Sequence, residues 1–249
     1  MTVLYAFMRV TDDIADQDAD FQSRSRELQI WKNQLIMALK GEGENPVLAG
    51  MFEVIKHFPV DSSWLFEVIS GVEKDLAFRG FETASDRDSY CYQVASVVGL
   101  CCVAIWNGDL VQGHLPAVET GFAIQRTNIL RDLMEDFARG RCYLSNDTLQ
   151  SFGLGALGPR DQKEESLWEK LIRFEIGEIE LLFHSGKRLK KHLPRGGRAV
   201  FGCFIELYQS LLKKISQDPG IVWRERVRVS TFQKTRILFS ALSYKWFGF

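Results

Sequence analysis

Apolar residues recur along this chain at intervals of three and four, and strictly alternating stretches bounded by hairpin turns are almost absent. That periodicity predicts helices throughout and an all-α protein. The helices are expected over about 3–17, 22–40, 46–57, 62–79, 86–107, 117–138, 163–192, 197–217 and 228–246, with ends uncertain by ~2–4 residues. The breaks between them have local causes. "GEGENP" stops one helix with glycine and opens the next with Asn45 as N-cap ahead of Pro46, and "FPVDSS" turns at Pro59 with Asp61 or Ser62 as the next cap. "FGLGALGPRDQ", residues 152–162, is the longest irregular stretch and reads as a loop inside one domain spanning 1–249.

One segment breaks the amphipathic rule. "YCYQVASVVGLCCVAIWNG", residues 90–108, is apolar around its whole circumference, so its helix should be surrounded by others. Ala95, Ser96 and Gly99 would leave room along it, either for close helix packing or for an elongated apolar cavity. The run "VASVVGLCCVAIW" is too short for a membrane span. The ending "ILFSALSYKWFGF" could lie against a membrane surface or pack on the body.

Polar residues interrupt the pattern in two acidic segments. In "RVTDDIADQD", Asp12 and Asp16 stand four apart and share a helix face, while Asp13 is turned by about 100°. In "IQRTNILRDLMEDFARGRCYL", Asn128, Asp132 and Asp136 share a face at i, i+4 and i+8, with Gln125 a turn earlier. Two such helices facing one another could collect hard cations through oxygen ligands. Mg²⁺ fits best, because it takes one or two carboxylates and completes its shell with water and phosphate oxygens. Arg9, Arg131, Arg139 and Arg141 stand beside the acids, where guanidinium forks would meet phosphate. An iron-carboxylate bundle would need Glu-x-x-His pairs, which this chain lacks.

Composition narrows the field further. Lys and Arg number 31 against 32 Asp and Glu, so the chain has no basic footprint for nucleic acid. Five cysteines, an odd number without zinc spacing, read as reduced thiols in a cytoplasmic protein.

"YAFMRVTDDIAD", "YCYQVASVVG" and "NILRDLMEDFARGRCYL", in this order, resemble the signatures of the squalene/phytoene synthase family, and "YQSLLKKISQDPGIVWRERVRVSTFQKTRI" resembles its C-terminal pattern. The resemblance implies an isoprenoid-synthase bundle with a central apolar cavity, joining two prenyl diphosphates head to head. By position, Asp12, Asp16, Asn128, Asp132 and Asp136 would bind Mg²⁺, with Mn²⁺ an alternative, and Asp13 would support them. Arg9, Arg131, Tyr208 and Arg226 match diphosphate contacts, and Tyr5, Tyr90 and Gln125 match positions near the reacting ends. Val94, Val98 and Gly99 would line the tunnel for the prenyl chains. Two departures stand out. The family's helical segment ahead of "YAF" has no counterpart, and Arg126 replaces a small or apolar residue, where it is expected to be a surface arginine. The resemblance favours two farnesyl diphosphates as substrates, giving presqualene diphosphate or, with NADPH, squalene. Phytoene synthesis from two geranylgeranyl diphosphates is the alternative. A catalytically silent relative acting as a scaffold is a third reading, which the intact acids oppose. Peripheral membrane contact fits the lipid substrates, and the oligomeric state is left unassigned.

Overall fold

The computed structural model describes residues 1–156 and 158–237. Its helices are α1 (Thr2–Asp16), α2 (Phe21–Ala38), α3 (Pro46–His57), α4 (Ser63–Leu76), α5 (Ala84–Cys91), α6 (Val97–Ile105), α7 (Leu110–Arg131), α8 (Leu133–Ala138), α9 (Asn146–Ser151), α10 (Gln162–Gly186) and α11 (Arg195–Gln217). A π-helical turn (Tyr92–Ser96) joins α5 to α6, and 3₁₀ turns follow α10 (Lys187–His192) and α11 (Pro219–Trp223). Residues 231–237 are helical as well, three residues after the start expected at 228; positions 238–246 of that expected helix lie outside the described residues, as does most of the apolar ending. Among the described residues the only β pairing is an isolated bridge between Phe81 and Ser145.

Local chemistry accounts for the helix starts. The Asn45 side chain accepts from the Val47 and Leu48 amides with Pro46 in the first turn, as the sequence predicts. Ser62 occupies the next N-cap position, but its side chain makes no capping bond; Asp61 instead accepts from the Ser63 amide at 2.8 Å. α7 begins seven residues before its expected start, because Asp109 caps it through the Val111 and Gln112 amides and the helix tolerates Pro116 inside its second turn. Its last residue is Arg131, where Asp132 (φ −100°, ψ 7°) interrupts the helix before α8. The i→i−4 bonds from Asp132 to Asn128 and from Asp136 to Asp132, both 2.9 Å, persist across this break and keep the three side chains in register.

The core has two lobes. Leu4, Phe7, Leu28, Trp31, Met51 and Ile69 fill the one built by α1–α4, where the Trp31 indole donates to Thr11 Oγ1 at 3.0 Å. Leu100, Leu130, Trp168, Ile172, Ile176 and Phe183 belong to the other, built around α7 and α10. α6 serves both, with Val97, Cys101 and Ala104 toward the first lobe and Leu100 and Val103 toward the second. That two-sided burial is why the 90–108 stretch is apolar all round. With α5 and the π turn it forms a continuous 22-residue helix (Ala84–Ile105) whose apolar part is long enough by composition to cross a membrane, and so longer than its sequence implied; here it runs between α4 and α7. All five cysteines are free thiols.

α7 is the central element. A Cβ at Gly121 would run into the Ser96 backbone, and one at Gly186 of α10 would run into Thr120, so α7 meets both neighbours at contacts that leave no space for a side chain. The π turn lies at the first of these contacts, where Ser96 Oγ donates to the Val118 carbonyl at 2.8 Å.

Candidate active site

Two cavities open beside α7. One, of about 300 Å³, lies between the π turn and α6, α7 and α11, and Val94, Val98, Gly99, Gln125, Asn128 and Tyr208 are part of its lining. The other, of about 310 Å³, is bounded by Met8 and Asp12 of α1, Val68, Val72 and Asp75 of α4, and Tyr90. Val94, Val98 and Gln125 line both, so the cavities meet at these residues. The structure therefore brings the expected tunnel residues to one place.

The acidic faces flank this junction. Asp12 lies at the rim of the second cavity, where partial burial, reinforced by the negative charges of Asp16, Asp75 and Asp13, pushes its carboxyl up to about 6 against Arg9. Burial and the Asp132 charge likewise push Asp136 up to about 6, opposed by Arg139 and Arg141. Asp75 contributes to both shifts, so the two faces share one electrostatic field. This third carboxylate had no signal in the sequence, because in "EKDL" the only neighbouring acid, Glu73, stands two positions away and so on a different helix face. It is held by two phenols: Tyr90 Oη donates to Oδ2 and Tyr143 Oη to Oδ1, each at 2.8 Å. Burial raises the Asp75 carboxyl above its ordinary range, although both hydrogen bonds oppose the shift. Burial also raises both phenols, with the Asp75 charge adding to it, so each keeps its proton and donates. Arg141 Nη1 donates to Tyr143 Oη at 3.4 Å.

Asp132 is gripped by arginines on two sides. Arg131 Nε donates to Oδ1 at 2.8 Å and its Nη2 to Oδ2, while Arg226 Nε lies 3.0 Å from Oδ1 and its Nη1 3.4 Å from Glu135. Tyr208 interacts with Arg131, so these expected diphosphate contacts converge. Arg9 lies outside that group, exposed and paired with Asp13 at 2.8 Å. Tyr5 is not brought to the junction. It is 70% exposed and lines neither cavity, because the buried face of α1 runs through Leu4, Phe7, Thr11 and Ile14, and Tyr5 is turned about 100° from Leu4.

Among the described residues, no three His, Cys, Asp or Glu side chains cluster closely enough to hold a metal ion by themselves. The donors nevertheless suit a hard cation. Asn128 donates through Nδ2 to Gln125, while its buried Oδ1 has no hydrogen-bond partner. An unpaired amide oxygen beside crowded carboxylates is what an oxygen-liganded divalent ion would satisfy.

Arg126 corrects the sequence reading. It is 6% exposed, not a surface residue, and donates through Nε and Nη2 to Glu175 Oε2 of α10 at 3.2 and 2.6 Å. Arg87 of α5 donates to Glu175 Oε1 at 2.9 Å, completing a buried Arg–Glu–Arg group whose Arg126 is the residue next to Gln125. Glu175 lies 49 residues from Arg126, so no local spacing announced the pair.

The squalene/phytoene synthase model matches residues 1–233. The phytoene synthase of Mycobacterium tuberculosis is 28% identical over 247 residues, covering 98% of this chain and 81% of that one. The 15-cis-phytoene synthase of Synechocystis is 28% identical over 243 residues, covering 93% and 72%. A dehydrosqualene synthase solved with a ligand superposes with a TM-score of 0.80 at 27% identity, covering 97% of this chain and 84% of that one. Squalene synthase HpnC of Alicyclobacillus acidocaldarius shares the fold, with a TM-score of 0.75 at 23% identity over 86% of this chain and 81% of that one. Paired acidic faces, a shared apolar junction and a match over nearly the whole length have one common meaning: the chain belongs to the squalene/phytoene synthase family of prenyltransferases, which condense two prenyl diphosphates head to head.

Proposed function

We propose that this chain condenses two farnesyl diphosphates to presqualene diphosphate, and carries it on to squalene where NADPH is supplied. The observation that supports this most is the meeting of two apolar cavities at Val94, Val98 and Gln125 between the two acidic faces. Asp12, Asp16, Asn128, Asp132 and Asp136 would hold Mg²⁺, or Mn²⁺ in its place. When bound, the ion supplies Lewis-acid charge that eases departure of the donor's diphosphate. Arg131, Arg226 and Tyr208 offer hydrogen-bond donors to the phosphate oxygens, and Arg9 adds positive charge at the rim.

The chain's own residues do the rest. The apolar walls exclude water from the allylic cation and hold the acceptor's double bond against it. Tyr90, pinned through Asp75, presents a fixed hydroxyl at the second cavity. Gln125 borders both chains where their reacting ends would meet. We place the reaction in the cytoplasm, in one domain that draws lipid substrates from a membrane surface.

A second reading, phytoene from two geranylgeranyl diphosphates, is favoured by the names of the relatives in Mycobacterium and Synechocystis. Incubation with Mg²⁺ and either diphosphate, with and without NADPH, followed by mass analysis of the extracted lipid, separates the two. A C30 product supports the first reading, a C40 product the second, and release of free prenyl alcohol alone refutes both.

A further inference from the structure

Building on the condensation reading above, we propose that Trp106 forms the floor of the first cavity and selects C15 over C20 prenyl chains.

The two long walls of this cavity are antiparallel. Ser96 bonds to the Val118 carbonyl, and a Cβ at Gly99 would lie 3.6 Å from the Ala117 carbonyl oxygen. The polar end is therefore at Gln125 and Asn128, level with Val94, while Val103 and Trp106 lie at the other. Trp106 follows Val94 by twelve residues, which at the helical rise is about 18 Å. Helical side chains lean toward the N-terminus of their helix, so the indole reaches back toward the mouth and leaves about 14–15 Å of usable depth. A farnesyl group has a main chain of twelve carbons and spans about 14 Å extended; geranylgeranyl adds four chain bonds, about 5 Å more. The first fits above the indole and the second does not.

The floor is also braced. On the far side of the indole, a Cβ at Gly197 of α11 would sit 3.3 Å from Trp106 Cβ and Cε3 and 3.4 Å from Cδ2, so backbone backs the ring. Asn107, at φ 57°, ends the helix immediately after Trp106. Gly108 then passes under the floor, where a Cβ would meet the His192 carbonyl oxygen at 3.0 Å. The Asp109 amide donates to that same carbonyl at 2.8 Å. A longer chain cannot push the indole aside without moving α11 or the 3₁₀ turn.

Calorimetric titration with the thiolo-diphosphate analogues of farnesyl and geranylgeranyl, in Mg²⁺, reads the selection without turnover. Wild type should bind the C15 analogue at least tenfold more tightly, in line with the roughly 10–200-fold that one methylene can discriminate in a tight apolar pocket. Trp106→Ala should bring the ratio to about one or invert it, and Trp106→Leu, which keeps apolar packing against Gly197, should fall between. An unchanged ratio in both variants, a wild-type preference for C20, or failure of the C15 analogue to bind wild type would overturn the assignment. Should Trp106→Ala not fold, Trp106→Leu decides. Product analysis of wild type keeps the two readings apart. No condensation product together with the expected ratio defeats the condensation reading alone, and C30 product with an unchanged ratio defeats the floor alone.

Discussion

Replacing Glu175 by glutamine should destabilise the protein by about 3 kcal/mol, the lower end of the range for stranding a buried charge by neutralising its partner. Glu175 is 1% exposed, and its two oxygens accept from Arg87 and Arg126, themselves 3% and 6% exposed. Glutamine keeps the shape but offers one acceptor and turns an NH₂ toward the other guanidinium. Arg87 retains Asp88 at 3.0 Å, whereas Arg126 is left without its carboxylate, which is why the lower end applies. In a chain of 249 residues such a loss corresponds to a fall in Tm of about 6–12 °C. Urea unfolding followed by circular dichroism, checked by calorimetry, measures it. The triple replacement Arg87→Met, Glu175→Leu and Arg126→Met should recover stability to within about 1 kcal/mol of wild type, because the desolvation cost disappears together with the attraction. A loss below about 1 kcal/mol in Glu175→Gln would refute the reasoning, since it would mean that the arginines are hydrated or paired elsewhere.

Tyr143→Phe removes one of the two donors to Asp75 and should lower kcat/KM by about 10–100-fold, the equivalent of a hydrogen bond to a charged group, while leaving the melting temperature nearly unchanged; equal steady-state kinetics would remove Asp75 from the site. Asp136→Asn should raise Tm in EDTA at pH 7.5 and have little effect at pH 4.5. The folded carboxyl holds its proton up to about 6 against an ordinary 3.8, so this group's contribution to stability is lost as pH rises through that window, and melts at the two pH values check the sign. Gly121→Ala should cost at least about 1–3 kcal/mol by driving α7 away from Ser96, read by chemical denaturation, and a neutral result would mean that the crossing is loose.

The helices and the i, i+4 acids were legible because both follow from periodicity within one segment. The buried wall of α6 was legible for the same reason, since a helix pressed from two sides carries no polar face. What escaped depends on contacts between distant segments. Tyr143 meets Asp75 across 68 residues, and although Tyr143 closes the second acidic segment, nothing in that segment points to Asp75, which lies in no spaced motif. Arg126 stands one position from Gln125 and carries no local mark of its burial, because the carboxylate that neutralises it belongs to α10. The early start of α7 went unseen since Pro116 reads as a helix boundary, although an aspartate cap seven residues upstream was strong enough to begin the helix before it. The π turn has no sequence signature at all, being the local response to α7 pressing on Ser96.

With a glycine contact against the π turn and another against α10, α7 cannot slide or rotate without opening its own crossings. It acts as the stationary jaw of the mouth, and Gln125 and Asn128 ride on it as fixed reference points, with Asp132 at its C-terminal cap. Any widening needed to admit two lipid tails and discharge one product twice as long must come from the jaws that close on it, α1 and α11. On the α11 side, half-exposed Phe204 already marks where an exit would part.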